Sequence, residues 1–125
     1  MGDDAAGRTV AAVDLGTNST RVLVARFTDQ GFDTIARRMT ITRQGEGVDE
    51  TGRLPDAAIG RVVACLQESR GLLDQQEVSG IRMTATSAAR DATNREDFFD
   101  LAEVVIGVRP ELISGLEEGQ LSFAG

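Results

Sequence analysis

Asp14, Gly16, Thr17, Asn18 and Ser19 form the densest group of chemically useful residues in the sequence. A carboxylate stands two residues before a glycine, and three hydroxyl or amide side chains follow without a gap. Gly16 allows main-chain amides to approach an incoming group closely. Thr17, Asn18 and Ser19 add donors at the same place, a concave nest suited to phosphate oxygens. Asp14 is placed to hold a hard cation such as Mg²⁺, directly or through water. A phosphate cradle beside a metal carboxylate is what phosphoryl chemistry needs. The same residues also make an ordinary hairpin turn, so the local pattern by itself leaves both readings open.

Two later segments carry further candidates. Thr86, Ser87 and Arg90 follow an apolar run that reads as a strand, and open sheets place ligands at strand carboxyl ends. An arginine fork there can grip phosphate oxygens at two points, although a solvated surface arginine is equally ordinary. Near the end of the chain, Ser114 opens a helical pattern with Glu117 at the capping-box position. Glu117 is therefore assigned to the backbone of Ser114. Its neighbour Glu118 falls on another side of the helix and remains free, as a general base or as a solvated glutamate. Arg21 is a secondary candidate.

Three motifs join these candidates into one resemblance. Residues 10–25 (VAAVDLGTNSTRVLVA), 85–94 (ATSAARDATN) and 113–123 (ISGLEEGQLSF) occur in that order. They resemble the first phosphate loop, the T-x-x-x-R-x-A-x-N segment and the I-S-G-x-E-E-x-x-L-x-F element of the exopolyphosphatase and guanosine pentaphosphate phosphohydrolase family. That family belongs to the superfamily of actin, sugar kinases and the large heat-shock ATPases, and the likeness covers nearly the whole chain. It implies a phosphoanhydride hydrolase acting on inorganic polyphosphate or guanosine pentaphosphate. It further implies Mg²⁺ as cofactor beside Asp14, phosphate contact by Gly16, Thr17, Asn18, Ser19 and Arg90, and catalytic roles for Arg90 and for Glu118 as the base that activates water. The partner it implies is a second lobe of the same full-length chain. The alternatives are a nucleotide-dependent kinase or ATPase of the same superfamily, and an inert phosphate-binding or sensing module.

Composition narrows the chemistry. The 125 residues contain 13 basic and 20 acidic side chains, a net charge of −7. That balance argues against a broad nucleic-acid or anionic-membrane surface, so an anion must be held by local donors. No apolar run approaches the ~20 residues of a membrane span and no signal peptide opens the chain, which makes the cytoplasm the expected compartment. There is no histidine, which excludes a phosphohistidine, a Ser-His-Asp triad and an ordinary catalytic zinc site within this chain. The lack of Tyr and Trp removes the aromatic platforms on which bases stack. The single Cys65 lies in a helical pattern beside Val62, Val63 and Leu66 and reads as a small core residue. No arginine stands where a cysteine phosphatase needs one.

These side chains must be positioned by a mixed α/β scaffold. Residues 1–8 are polar and expected to fray; residues 9–125 read as one lobe. Strands are expected over 10–13, buried on both faces, then 22–27 and 32–42. A glycine-rich loop over 44–52 is a candidate flap. A helix over 54–74 presents Ile59, Val62, Val63, Leu66 and Leu73, with Pro55 in its first turn and Asp56 complementing its dipole. A strand follows over 78–84. Asn94 is expected to cap a second helix with Phe98, Leu101, Ala102 and Val105 as its buried stripe, and Gly107 to end it. A last strand over 109–113 precedes the Ser114 helix. Three antiparallel strands followed by parallel crossover units make a five-stranded mixed sheet with helices packed on it. The resemblance places this in the ribonuclease H-like (actin-like ATPase) class, as the N-terminal lobe of a longer enzyme. A lobe separated from its partner exposes a surface and a sheet edge through which a homodimer is possible.

Overall fold

The apolar and β-branched residues at the start of the chain form a meander of three antiparallel strands. They are β1 (Thr9–Leu15), β2 (Ser19–Thr28) and β3 (Gly31–Ile41). The computed structural model describes residues 7–43, 51–85 and 92–112. In the first hairpin Asp14 pairs with Arg21 and Leu15 with Thr20. The second hairpin carries a bulge at Val24/Ala25. β4 (Gly80–Ala85) lies parallel to β1 on its other side, and β5 (Glu111–Leu112) lies parallel to β4, giving the order β3-β2-β1-β4-β5. The helices α1 (Asp56–Gln75) and α2 (Arg95–Ile106) supply the crossovers. The expected mixed five-stranded sheet is thus the one observed.

Both helices share one core with one face of the sheet. Val13, Leu15, Val22, Val24 and Met83 meet Val62, Leu66, Leu73, Phe98, Ala102 and Ile106. A fully buried aliphatic or aromatic side chain of this kind stabilises by about 1.5–3 kcal/mol, so this single face accounts for most of the packing energy. Cys65 is buried in α1 as a core residue. Arg70 of α1 reaches across to donate to the Ile106 carbonyl at 2.6 Å, satisfying an acceptor left over at the end of α2.

Three expectations are corrected here. β1 is buried on one face only: Ala11, Val13 and Leu15 are inside, while Ala12 is exposed and Val10 and Asp14 are half-buried. The continuous apolar run suggested a strand covered on both sides, but among the described residues both helices pack on the same face. The other face is a shallow apolar depression lined by Val10, Ala12, Leu23, Ala25 and Ile81. In α2 the buried residues are Phe98, Phe99, Ala102 and Ile106; Leu101 is exposed and Val105 is half-buried. The third correction is Asn94. It occupies the N-cap position, yet its side chain makes no capping bond. Gly107 does end the helix as expected, in a left-handed conformation at φ 101° that favours glycine. The helix expected after Ser114, with Glu117, lies outside the described residues.

Candidate functional site

Short-range geometry makes residues 16–19 a tight turn. The Gly16 N–H donates to the Ser19 carbonyl at 2.8 Å, closing the hairpin between β1 and β2. A Cβ at Gly16 would stand 2.8 Å from that same carbonyl oxygen. Glycine is required here by close approach of the backbone rather than by a left-handed φ. Thr17 and Asn18 are exposed at the tip and Ser19 is half-buried. The Asn18 carbonyl accepts from the amides of Thr42 and Arg43, both at 3.0 Å. The turn is thereby fastened to the end of β3. Beneath it the hydroxyls of Thr20 and Thr42 share a buried hydrogen bond of 3.0 Å, and Arg61 of α1 donates to the Thr42 carbonyl at 2.7 Å.

Asp14 sits on the sheet face away from the helices, at the carboxyl end of β1. Arg21 stands opposite it on β2 and Thr84 beside it on β4. The Thr84 hydroxyl donates to Oδ1 of Asp14 at 3.4 Å; its second carboxyl oxygen has no hydrogen bond among the described residues. Burial pushes the Asp14 carboxyl above its ordinary value, and the Arg21 charge and the Thr84 hydroxyl only partly offset this. No three His, Cys, Asp or Glu side chains gather into a metal cluster among the described residues. A lone, half-buried carboxylate with a spare oxygen fits an ion that takes one or two carboxylates and fills its shell with water and phosphate oxygens, as Mg²⁺ does.

The topology brings several chain segments to one edge. β1, β4 and β5 are parallel neighbours, so their carboxyl ends lie side by side. Ser19 pairs with Ile41, which puts the end of β3 at this edge too. Four connections start there: residues 16–19 after β1, 44–50 after β3, 86–91 after β4 and 113–125 after β5. Arg90, with Thr86 and Ser87, belongs to the third connection and Glu118 to the fourth; all of them lie outside the described residues, as does most of the 44–52 flap. Thr84, Thr42 and Arg61 were missed by sequence reasoning. Their roles depend on strand register and on contacts between distant parts of the chain, which no local pattern announces.

Most of the chain has counterparts in known proteins. The Ppx/GppA phosphatase family profile matches residues 23–125. The chain belongs to the Ppx/GppA phosphatase family. Exopolyphosphatase 2 of Mycobacterium tuberculosis is 41% identical over 93% of this chain, which spans 39% of that protein's length. The crystal structure of an exopolyphosphatase-like protein superposes with a TM-score of 0.89 at 44% identity, over 94% of this chain and 36% of that one. The Aquifex aeolicus Ppx/GppA family member gives 0.86 at 33% identity, over 93% and 38%. The Holliday-junction complex of Thermus thermophilus RuvC, at a TM-score of 0.51 and 15% identity over 90% of this chain and 68% of that one, shares the fold alone. The Ppx/GppA chain thus has the ribonuclease H-like, actin-like sheet. No helix among its described residues is long and apolar enough to cross a membrane.

Proposed function

We propose that the full-length protein is a phosphoanhydride hydrolase that releases the terminal phosphate of inorganic polyphosphate or of guanosine pentaphosphate. The observation that carries this reading is the placement of Asp14 beside a turn that a Cβ at Gly16 would crowd, at the edge where the strands preceding Arg90 and Glu118 end. Family membership, with relatives named exopolyphosphatase, supports the same chemistry. Gly16 shapes the turn, and the main-chain amides of 17–19 with the Thr17, Asn18 and Ser19 side chains donate to the terminal phosphoryl oxygens. Arg90 grips the same group from the β4 side. Glu118 takes a proton from the attacking water as it adds to phosphorus, and the shortened chain leaves with the bridging oxygen. Asp14 would hold Mg²⁺, whose charge offsets that developing on the phosphate oxygens. In the whole enzyme this lobe, residues 9–125, faces a second lobe that closes the site, so the 125-residue chain alone binds phosphate and turns over little.

The binding half of this reading is tested by amide chemical shifts of the ¹⁵N-labelled chain titrated with tripolyphosphate. Shifts concentrated at residues 16–19 are expected; shifts confined to other parts of the chain would overturn the assignment of the turn.

The raised Asp14 value gives a second test. A carboxyl whose value is raised on folding binds its proton more tightly in the folded chain. Its contribution to stability is present below the unfolded value of 3.8 and is lost as pH rises through the folded value. At neutral pH the charged Asp14 therefore costs stability in the absence of a cation. Asp14→Asn should raise Tm at pH 7 by about 1–4 °C, a modest amount because solvent screens a half-exposed group. The gain should vanish below pH 3.8. In the full-length enzyme the same substitution should lower kcat by at least about tenfold. A fall in Tm at pH 7, with activity retained, would contradict both roles.

A further inference from the structure

Asn94 is 7% exposed and clasps Leu54, a residue 40 positions away and fully buried. The Leu54 N–H donates to Oδ1 of Asn94 at 2.9 Å, and Nδ2 of Asn94 donates back to the Leu54 carbonyl at 3.0 Å. One position earlier, the Thr93 N–H donates to the Gly52 carbonyl at 2.8 Å. Residues 92–94 come directly after the 86–91 connection, and residues 52–54 come just after the 44–50 connection. The three bonds therefore join the far ends of two connections that both begin at the sheet edge. The near end of 44–50 is fastened as well, since Thr42 and Arg43 donate to Asn18 in the turn. Hydrogen bonds thus tie residues 42–43 to the turn, and residues 52–54 to residues 93–94.

The clasp needs an amide. It must donate and accept at once to satisfy the N–H and C=O of a single buried residue, and an unsatisfied buried group costs about 1–3 kcal/mol. An aspartate keeps the acceptor, loses the donor and sets its charge against the Leu54 carbonyl. Arg90 lies four residues before Asn94, so its Cα is within about 14 Å of this anchor even if the chain is fully extended.

We propose that Asn94 is a positioning residue for phosphate binding: its clasp on Leu54 anchors the chain four residues after Arg90. This rests on the reading of Arg90 as a phosphate ligand and adds how its loop is held. A double-mutant cycle in the full-length enzyme separates the two. kcat and KM for polyphosphate are measured for wild type, Asn94→Ala, Arg90→Ala and the double variant, at a temperature where circular dichroism shows all four folded. Asn94→Asp is run through the same cycle, so that an unstable alanine variant does not decide the outcome. Asn94→Ala is expected to lower kcat/KM by about tenfold, mostly through KM, and to change it by less than about twofold when Arg90 is already alanine. An equal loss in both backgrounds would overturn the proposal, because Asn94 would then support the fold without acting through Arg90. A wild-type kcat/KM for the Asn94 variants would overturn it too. An Arg90→Ala enzyme with wild-type kcat/KM would remove the arginine assignment first, and the proposal with it.

Discussion

Glu118→Gln in the full-length enzyme is expected to lower kcat by about a hundredfold or more while leaving the protein folded and able to bind polyphosphate. A general base contributes about 10²–10⁴ in rate, and glutamine keeps the shape of glutamate but cannot take a proton from water. Glu117→Gln, one residue away, is the internal control. Its expected work is to close a capping box on Ser114, which glutamine also does, so most activity should remain. Glu118 belongs to the connection that follows β5, and β5 ends beside β4 at the edge where Asp14 and the turn lie. Steady-state phosphate release by the two variants checks the assignment. Equal losses in both would mean that the wrong carboxylate has been chosen.

Gly16→Ala should have the next largest effect. The new methyl would sit 2.8 Å from the Ser19 carbonyl, a distance real Cβ atoms do not tolerate. The obstacle is backbone already engaged in the hairpin-closing bond, so it cannot swing aside as a flexible side chain would. The turn must open, at a cost of about 1–3 kcal/mol. Displacing phosphate donors by an ångström can cost about 10²-fold in rate, so kcat/KM should fall by about ten- to a hundredfold. Gly71→Ala is the contrasting case. Gly71 is an exposed helical residue of α1, and a Cβ there meets nothing within 4 Å. Alanine should stabilise the helix by about 0.5–1 kcal/mol and leave activity unchanged. Denaturant unfolding and initial rates measured on both variants distinguish a local steric effect from general intolerance of alanine. Gly16→Ala with wild-type kcat/KM would show that the turn does not position substrate.

The parts of this molecule that sequence made legible are those decided within a few residues. The acid, glycine and hydroxyl run after an apolar segment marked the turn at 16–19, because tight turns and phosphate nests draw on the same residue types. Gly107 marked the end of α2 because the helix closes there on a left-handed residue, a conformation glycine adopts freely. Where a choice depended on distant contacts, local rules went astray. Asn94 followed by Asp97 reads as a helix cap, yet the side chain is drawn to Leu54, 40 residues away, and no neighbour of Asn94 hints at this. The segment that became α2 carries apolar residues at 98, 99, 101, 102, 104, 105 and 106, so several stripes fit a helical period. Packing against α1 and the sheet chose the one with Phe99 and Ile106 inside. β1 shows the same limit, since its apolar run carries no mark of which face the helices will cover. At the candidate site, Asp14 was visible from its type and place, whereas Thr84 became its neighbour only through the parallel register of β1 and β4.

The central claim is that the turn at residues 16–19, Asp14, Arg90 and Glu118 belong to a phosphoanhydride hydrolase. The most direct measurement is orthophosphate release by the purified full-length protein, with Mg²⁺, from inorganic polyphosphate and from guanosine pentaphosphate in parallel. Steady release of terminal phosphate from at least one of them, lost on removal of Mg²⁺ and in Glu118→Gln, is the predicted result. No release from either substrate by a folded, full-length protein would contradict the account.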